Sequence, residues 1–185
     1  MAEEKTEARP ATEILKQQHD QVKQMFSQLL AADGRERAEL FDCLRATLAV
    51  HETAEEMVIY PRLRQAEDGD RIADARIAEE DEAKQVLADL EKLGPDGDGF
   101  GQKVTQFQQA VLNHASAEEQ TVFPVLERTC SAEELRTMGE HLEMAERMAP
   151  THPHPHGPNS ALGNLVVGPF AKMVDAVRDA IHSRV

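Results

Sequence analysis

The chain has 185 residues, 41% of them hydrophobic, which suits one folded domain with appendages rather than a disordered polymer. A formal net charge of −14 excludes nucleic acid and anionic membrane surfaces as favoured partners. Cys43 and Cys130 form neither a C-x-x-C motif nor a disulfide framework, no run of 18 apolar residues occurs, and the acidic N-terminus lacks an apolar leader. These features predict a reduced, cytoplasmic protein that is neither secreted nor membrane-spanning.

Helix formers dominate, no stretch alternates in the manner of a strand, and the seven aromatics leave the core to aliphatic side chains. Residues 1–10 read as a disordered, charged arm ending at Pro10. A first helix, about 11–31, carries Ile14, Leu15, Val22, Phe26, Leu29 and Leu30 on one stripe and stops at Asp33-Gly34. A second, about 35–60, is striped by Leu40, Leu44 and Leu48, and Pro61 is expected to kink or end it. A third follows Gly69 and runs to about 93 with Ile77, Ala83, Leu87 and Leu90. The loop Gly94–Gly101 leads to a fourth, with Val104, Phe107 and Val111, and with Pro124 near its end.

Short turns between four such helices predict an all-α, up-down-up-down four-helix bundle over residues 11–130. Ser131-Ala-Glu-Glu134 is a capping-box signal for an additional helix over 131–148. Residues 149–169, rich in proline and carrying His152, His154 and His156, are expected to be extended, with a C-terminal helix in 170–185.

The chain repeats itself. His51-Glu-Thr-Ala-Glu55-Glu56-Met-Val-Ile-Tyr60-Pro61 returns 63 positions later as His114-Ala-Ser-Ala-Glu118-Glu119-Gln-Thr-Val-Phe123-Pro124. His19-Asp20 and Lys23-Gln24 of the first helix match Glu80-Asp81 and Lys84-Gln85 of the third, 61 positions on. Helices one and two are therefore a duplicate of helices three and four, which predicts a pseudo-twofold bundle.

Residues four apart share one face of a helix, so each copy of the motif aims an imidazole and a carboxylate the same way. His19, His51, Glu80 and His114 fall on the apolar stripes of their helices, with Glu55 and Glu118 one turn further on. Burying such groups without partners costs several kcal/mol each, and three close carboxylates repel one another. A pair of cations removes both penalties, with Glu55 and Glu118 as bridges and His19, His51, Glu80 and His114 as terminal donors. Imidazole and carboxylate donors without thiolates suit iron or manganese rather than structural zinc. Glu56 and Glu119 are candidate acceptors for imidazole N–H groups or solvated edge charges; Tyr60 reads chiefly as packing at a helix end.

A histidine in the first helix, H-x-x-x-E in the second and the same arrangement repeated resembles the hemerythrin-like, or HHE cation-binding, domain. The resemblance rests on His19, on His51 with Glu55 and on His114 with Glu118, and the aromatic-Pro that trails each copy strengthens it. It implies a four-helix bundle holding two non-haem iron ions, oxo- or hydroxo-bridged, with manganese the lesser alternative. It also implies a position for a small molecule such as O2, H2O2 or NO. One departure stands out: Glu80 occupies the place where the family usually has a histidine. A carboxylate there stabilises ferric over ferrous iron, which favours peroxide decomposition, oxidase chemistry or oxidative-stress defence over reversible O2 or NO binding, sensing or iron handling. If Glu80 is not a ligand, His141 and His154 are the candidates to replace it. The oligomeric state is left open by the sequence, which is compatible with a monomer.

Overall fold

The computed structural model describes residues 8–148, and every regular element in them is helical. Helix α1 spans Ala11–Ala31. Helix α2 spans Gly34–Ala54, passes through a π-helical turn at Glu55–Ile59 and closes with Tyr60–Leu63. Helix α3 spans Gly69–Leu93. Helix α4 repeats the pattern of α2, with Phe100–Ala117, a π turn at Glu118–Val122 and a last stretch Phe123–Thr129. Helix α5 spans Ala132–Met148. The expected arm lies largely, and the 149–169 and 170–185 segments wholly, outside the described residues. Among the described residues, no helix is long and apolar enough to cross a membrane.

Stripes of apolar residues three and four apart decide which faces turn inward. On α1 these are Ile14, Leu15, Val22, Met25, Phe26 and Leu29; Leu30, expected on the same stripe, is 38% exposed because it lies one residue past the buried face. The buried side chains form two separate clusters. One joins Ile14 and Leu15 to Ile59, Tyr60, Leu63, Val122, Phe123 and Leu126, and is closed by Leu135, Met138, Leu142 and Ala145 of α5. The other joins Val22, Phe26 and Leu29 to Leu44, Leu48, Leu87, Leu90, Val104 and Phe107. Helix α5 therefore completes the first cluster rather than lying outside the bundle.

Pro61 neither ends nor breaks α2. In the π turn before it, the Tyr60 N–H reaches back to the Glu55 carbonyl, and the Phe123 N–H reaches the Glu118 carbonyl in the same way. The wider turn makes room for a ring that has no N–H to give, and the helix continues. Both π turns begin on a motif glutamate, so the irregularity is part of how those carboxylates are aimed.

The helix ends follow local chemistry. The capping box at α5 forms as expected: the Glu134 N–H donates to Ser131 Oγ (3.2 Å), and the Ser131 N–H donates to Glu134 Oε2 (2.7 Å). Gly94, at φ +74°, ends α3 with its N–H on the Leu90 carbonyl at 2.9 Å. At Gly139 the chain before α1 passes so close that a Cβ would meet the Arg9 carbonyl at 2.1 Å. Gly139→Ala is expected to lower unfolding free energy by about 1–3 kcal/mol in urea denaturation, as overpacking does. Gly101→Ala, whose Cβ would meet nothing within 4 Å, is expected to raise it by about 0.4–1 kcal/mol through the unfolded chain.

Candidate metal centre

The gap between the two apolar clusters is filled by polar side chains. His19 lies between Leu15 and Val22 of α1, His51 and Glu55 follow Leu48 of α2, Glu80 precedes Leu87 of α3, and His114 and Glu118 extend the stripe of α4. All six are brought together. His19, His51, Glu55 and Glu118 each place one ligand-type atom within 4.8 Å of the others, and Glu55, Glu80 and His114 do the same. Glu55 belongs to both groups. Glu118 Oε2 lies 3.3 Å from His19 Nε2 and 3.5 Å from His114 Nε2, so it too reaches both sides.

The three imidazoles are turned alike. His19 Nδ1 is 2.9 Å from Glu119 Oε1, His51 Nδ1 is 2.7 Å from Gln18 Oε1, and His114 Nδ1 is 2.9 Å from Glu79 Oε2. An acceptor on Nδ1 calls for its proton there, which leaves the Nε2 lone pair facing inward, as in metal-bound histidines. Of the two flanking glutamates, Glu119 takes an imidazole while Glu56 pairs with Lys84 at 3.1 Å. Gln18 and Glu79, whose roles are not evident from the sequence, hold the other two rings. They are themselves 61 positions apart, so the repeat that relates His19 to Glu80 was a signal that could have found them. Gln18 donates in turn to Glu146 of α5, and Arg76 bonds Glu79 at 2.6 Å.

The inward-facing atoms lack hydrogen-bond partners. His19 Nε2, both oxygens of Glu55, Glu80 Oε2, His114 Nε2 and Glu118 Oε2 are buried and make no hydrogen bond among the described residues. Burial, reinforced by the neighbouring carboxylates, drives Glu55 and Glu80 well above the usual carboxylate range. Burial acts on Glu118 in the same direction, but the close approach of His19 at 3.3 Å and His114 at 3.5 Å outweighs it and holds that carboxyl at about 2. Burial, helped by the charge of His19, pushes His51 down to about 3, keeping it a neutral donor. Six convergent N and O atoms without hydrogen-bond partners among the described residues, with a surplus of carboxylate, are a donor set that could hold a cation.

Tyr60 is more than packing. It is 1% exposed, and its hydroxyl reaches both Glu80 Oε1 and, at 3.0 Å, Glu118 Oε1. The equivalent Phe123 stacks on His19 at 5.8 Å. A phenol thus faces the carboxylate of the third helix, where a plain ring faces the imidazole of the first. His141 is exposed, because α5 turns Leu135, Met138, Leu142 and Ala145 inward and places His141 off that stripe. It does not join the cluster, and His154 lies outside the described residues. A cavity of about 340 Å³ opens onto His51, Glu80 and His114, with Val22, Leu48, Ala83, Val86 and Val111 along its walls. Tyr60→Phe leaves two buried carboxylate oxygens without a donor. It is expected to cost the metal-free protein about 1–3 kcal/mol in chemical denaturation.

Comparison with known proteins agrees with this geometry. The hemerythrin HHE cation binding domain matches residues 11–126. An uncharacterized hemerythrin-like protein of Schizosaccharomyces pombe is 31% identical over 137 residues, covering 73% of this chain and 68% of that protein. A DNA nickase of Nostoc sp. is 26% identical over 135 residues, covering 72% of this chain but only 38% of its own length. The crystal structure of a hemerythrin HHE cation binding domain-containing protein from Mycobacterium kansasii superposes with a TM-score of 0.68 at 25% identity, over 75% of this chain and 85% of that one. The chain belongs to the hemerythrin HHE cation-binding family.

Proposed function

We propose that the cluster binds two iron ions and that the protein decomposes hydrogen peroxide. The observation that carries this reading is the convergence of His19, His51, Glu55, Glu80, His114 and Glu118, five of which present inward-facing N or O atoms with no hydrogen-bond partner among the described residues. His19 and His51 would hold one ion and His114 and Glu80 the other, with Glu55 and Glu118 within reach of both groups. Iron suits this mixture of imidazole and carboxylate, and neither Cys43 nor Cys130 takes part in either donor group.

A bound iron pair supplies the two-electron change by which one peroxide is oxidised to O2 while a second is reduced to two waters. The chain's own residues do the rest. Gln18, Glu79 and Glu119 fix the imidazole rings, and Tyr60 holds a proton between Glu80 and Glu118. The apolar clusters on either side keep bulk water from the donors, and the cavity beside His51 and His114 admits a small uncharged molecule. Glu80 supports catalysis over reversible gas carriage, since a third carboxylate favours the more highly charged ferric state.

Anaerobic reconstitution is expected to yield two irons per chain, and oxygen release from peroxide is expected to follow iron loading. Saturating iron at 100 times its dissociation constant would stabilise the fold by about 2.7 kcal/mol, visible as a raised melting temperature. Glu118→Ala is expected to abolish the second iron and the activity together. An iron content near zero in the wild-type chain would end the metal reading, whereas two irons without oxygen release would end only the catalytic part.

A further inference from the structure

The two halves of the site differ at more than one position, and the differences are linked. In the first half, His19 of α1 gives its Nδ1 proton to Glu119. The repeat places Glu80 opposite Glu56 in the second half, and there both groups are acceptors. Between them stands Lys84 of α3, with its Nζ 3.1 Å from Glu56 Oε1, 3.6 Å from Asp81 Oδ1, 3.7 Å from Glu52 Oε2 and 3.9 Å from Glu80 Oε2. Lys84 is only 12% exposed, whereas Lys23, its counterpart in α1, is exposed.

We propose that Lys84 is a positioning residue for the second metal: its ammonium offsets the negative charge that the exchange of a neutral imidazole for a carboxylate adds, and gives Glu56 the donor that the exchange removes. Lys84 draws Glu52, Glu56 and Asp81 to itself, so these acids do not compete for the cluster. It lies near Glu80 Oε2 without hydrogen-bonding it, which leaves that oxygen available to a metal. Tyr60 fixes the other oxygen of the same carboxylate. The three acids around Lys84 outnumber its charge, so the surroundings remain attractive to a cation.

This inference rests on the two-metal reading of the cluster, and iron binding by the full chain tests it without recourse to activity. Anaerobic iron titration of Lys84→Met is expected to show the first iron retained and the second weakened about 10- to 100-fold, the range typical of lost outer partners. Lys84→Arg is expected to restore wild-type loading. In a Glu80→His background, which gives the second half the imidazole of the first, Lys84→Met is expected to change nothing further. Undiminished second-site affinity in Lys84→Met would overturn the proposal. So would an equal loss in the Glu80→His background, or a failure of Lys84→Arg to rescue. Should Lys84→Met not fold, as judged by circular dichroism, Lys84→Gln takes its place. A wild-type chain that binds no iron would instead overturn the two-metal reading itself, and this inference with it.

Discussion

Three carboxylates and three imidazoles share one buried layer, and the rest of the fold is arranged around that fact. Glu55 and Glu118 are fully buried and Glu80 nearly so, and ions in such surroundings cost several kcal/mol each unless they are compensated. Apolar clusters lie on both sides, which leaves the cavity beside His51 and His114 as the side from which water approaches the layer. Bound cations convert this destabilising arrangement into a favourable one. The polar layer is therefore costly to the empty fold and favourable to the loaded one.

The fold keeps the donors in place by making each answer to a neighbouring helix. His51 of α2 is held from α1 by Gln18, His114 of α4 from α3 by Glu79, and His19 of α1 from α4 by Glu119. Helix α5 enters through Glu146, which fixes the amide of Gln18. Ring orientation thus depends on how the helices are mutually rotated and not on any one helix. The π turns contribute as well, since the carboxylates that reach both sides are the residues at which those turns begin.

Duplication explains the symmetry, and its failure is concentrated around one carboxylate. Glu80 stands where the repeat has His19, Tyr60 where it has Phe123, and a half-buried Lys84 where it has an exposed Lys23. An imidazole brings its own N–H and stacks on a plain ring. A carboxylate brings neither; the phenol donates to it, and the ammonium stands 3.9 Å away while donating to Glu56. The three differences form one physical unit.

Much of this was legible in the chain itself. Periodicity in apolar residues marks the first four helices, the spacing of four within H-x-x-x-E places imidazole and carboxylate on one face, and Ser131 with Glu134 announces the start of α5. These signals depend on a turn of 3.6 residues or on chemistry within one turn, both local to the sequence. The pairing of His51 with Gln18 and of His114 with Glu79, the buried place of Tyr60, the half-buried place of Lys84, the inclusion of α5 in the core and the exclusion of His141 were not legible. Each depends on the rotation and approach of helices far apart in sequence, which local periodicity leaves open. The sequence by itself determined which residues line the inner faces; tertiary packing decided which of those faces meet, because donors on separate helices converge only when the apolar clusters on either side lock the helices together.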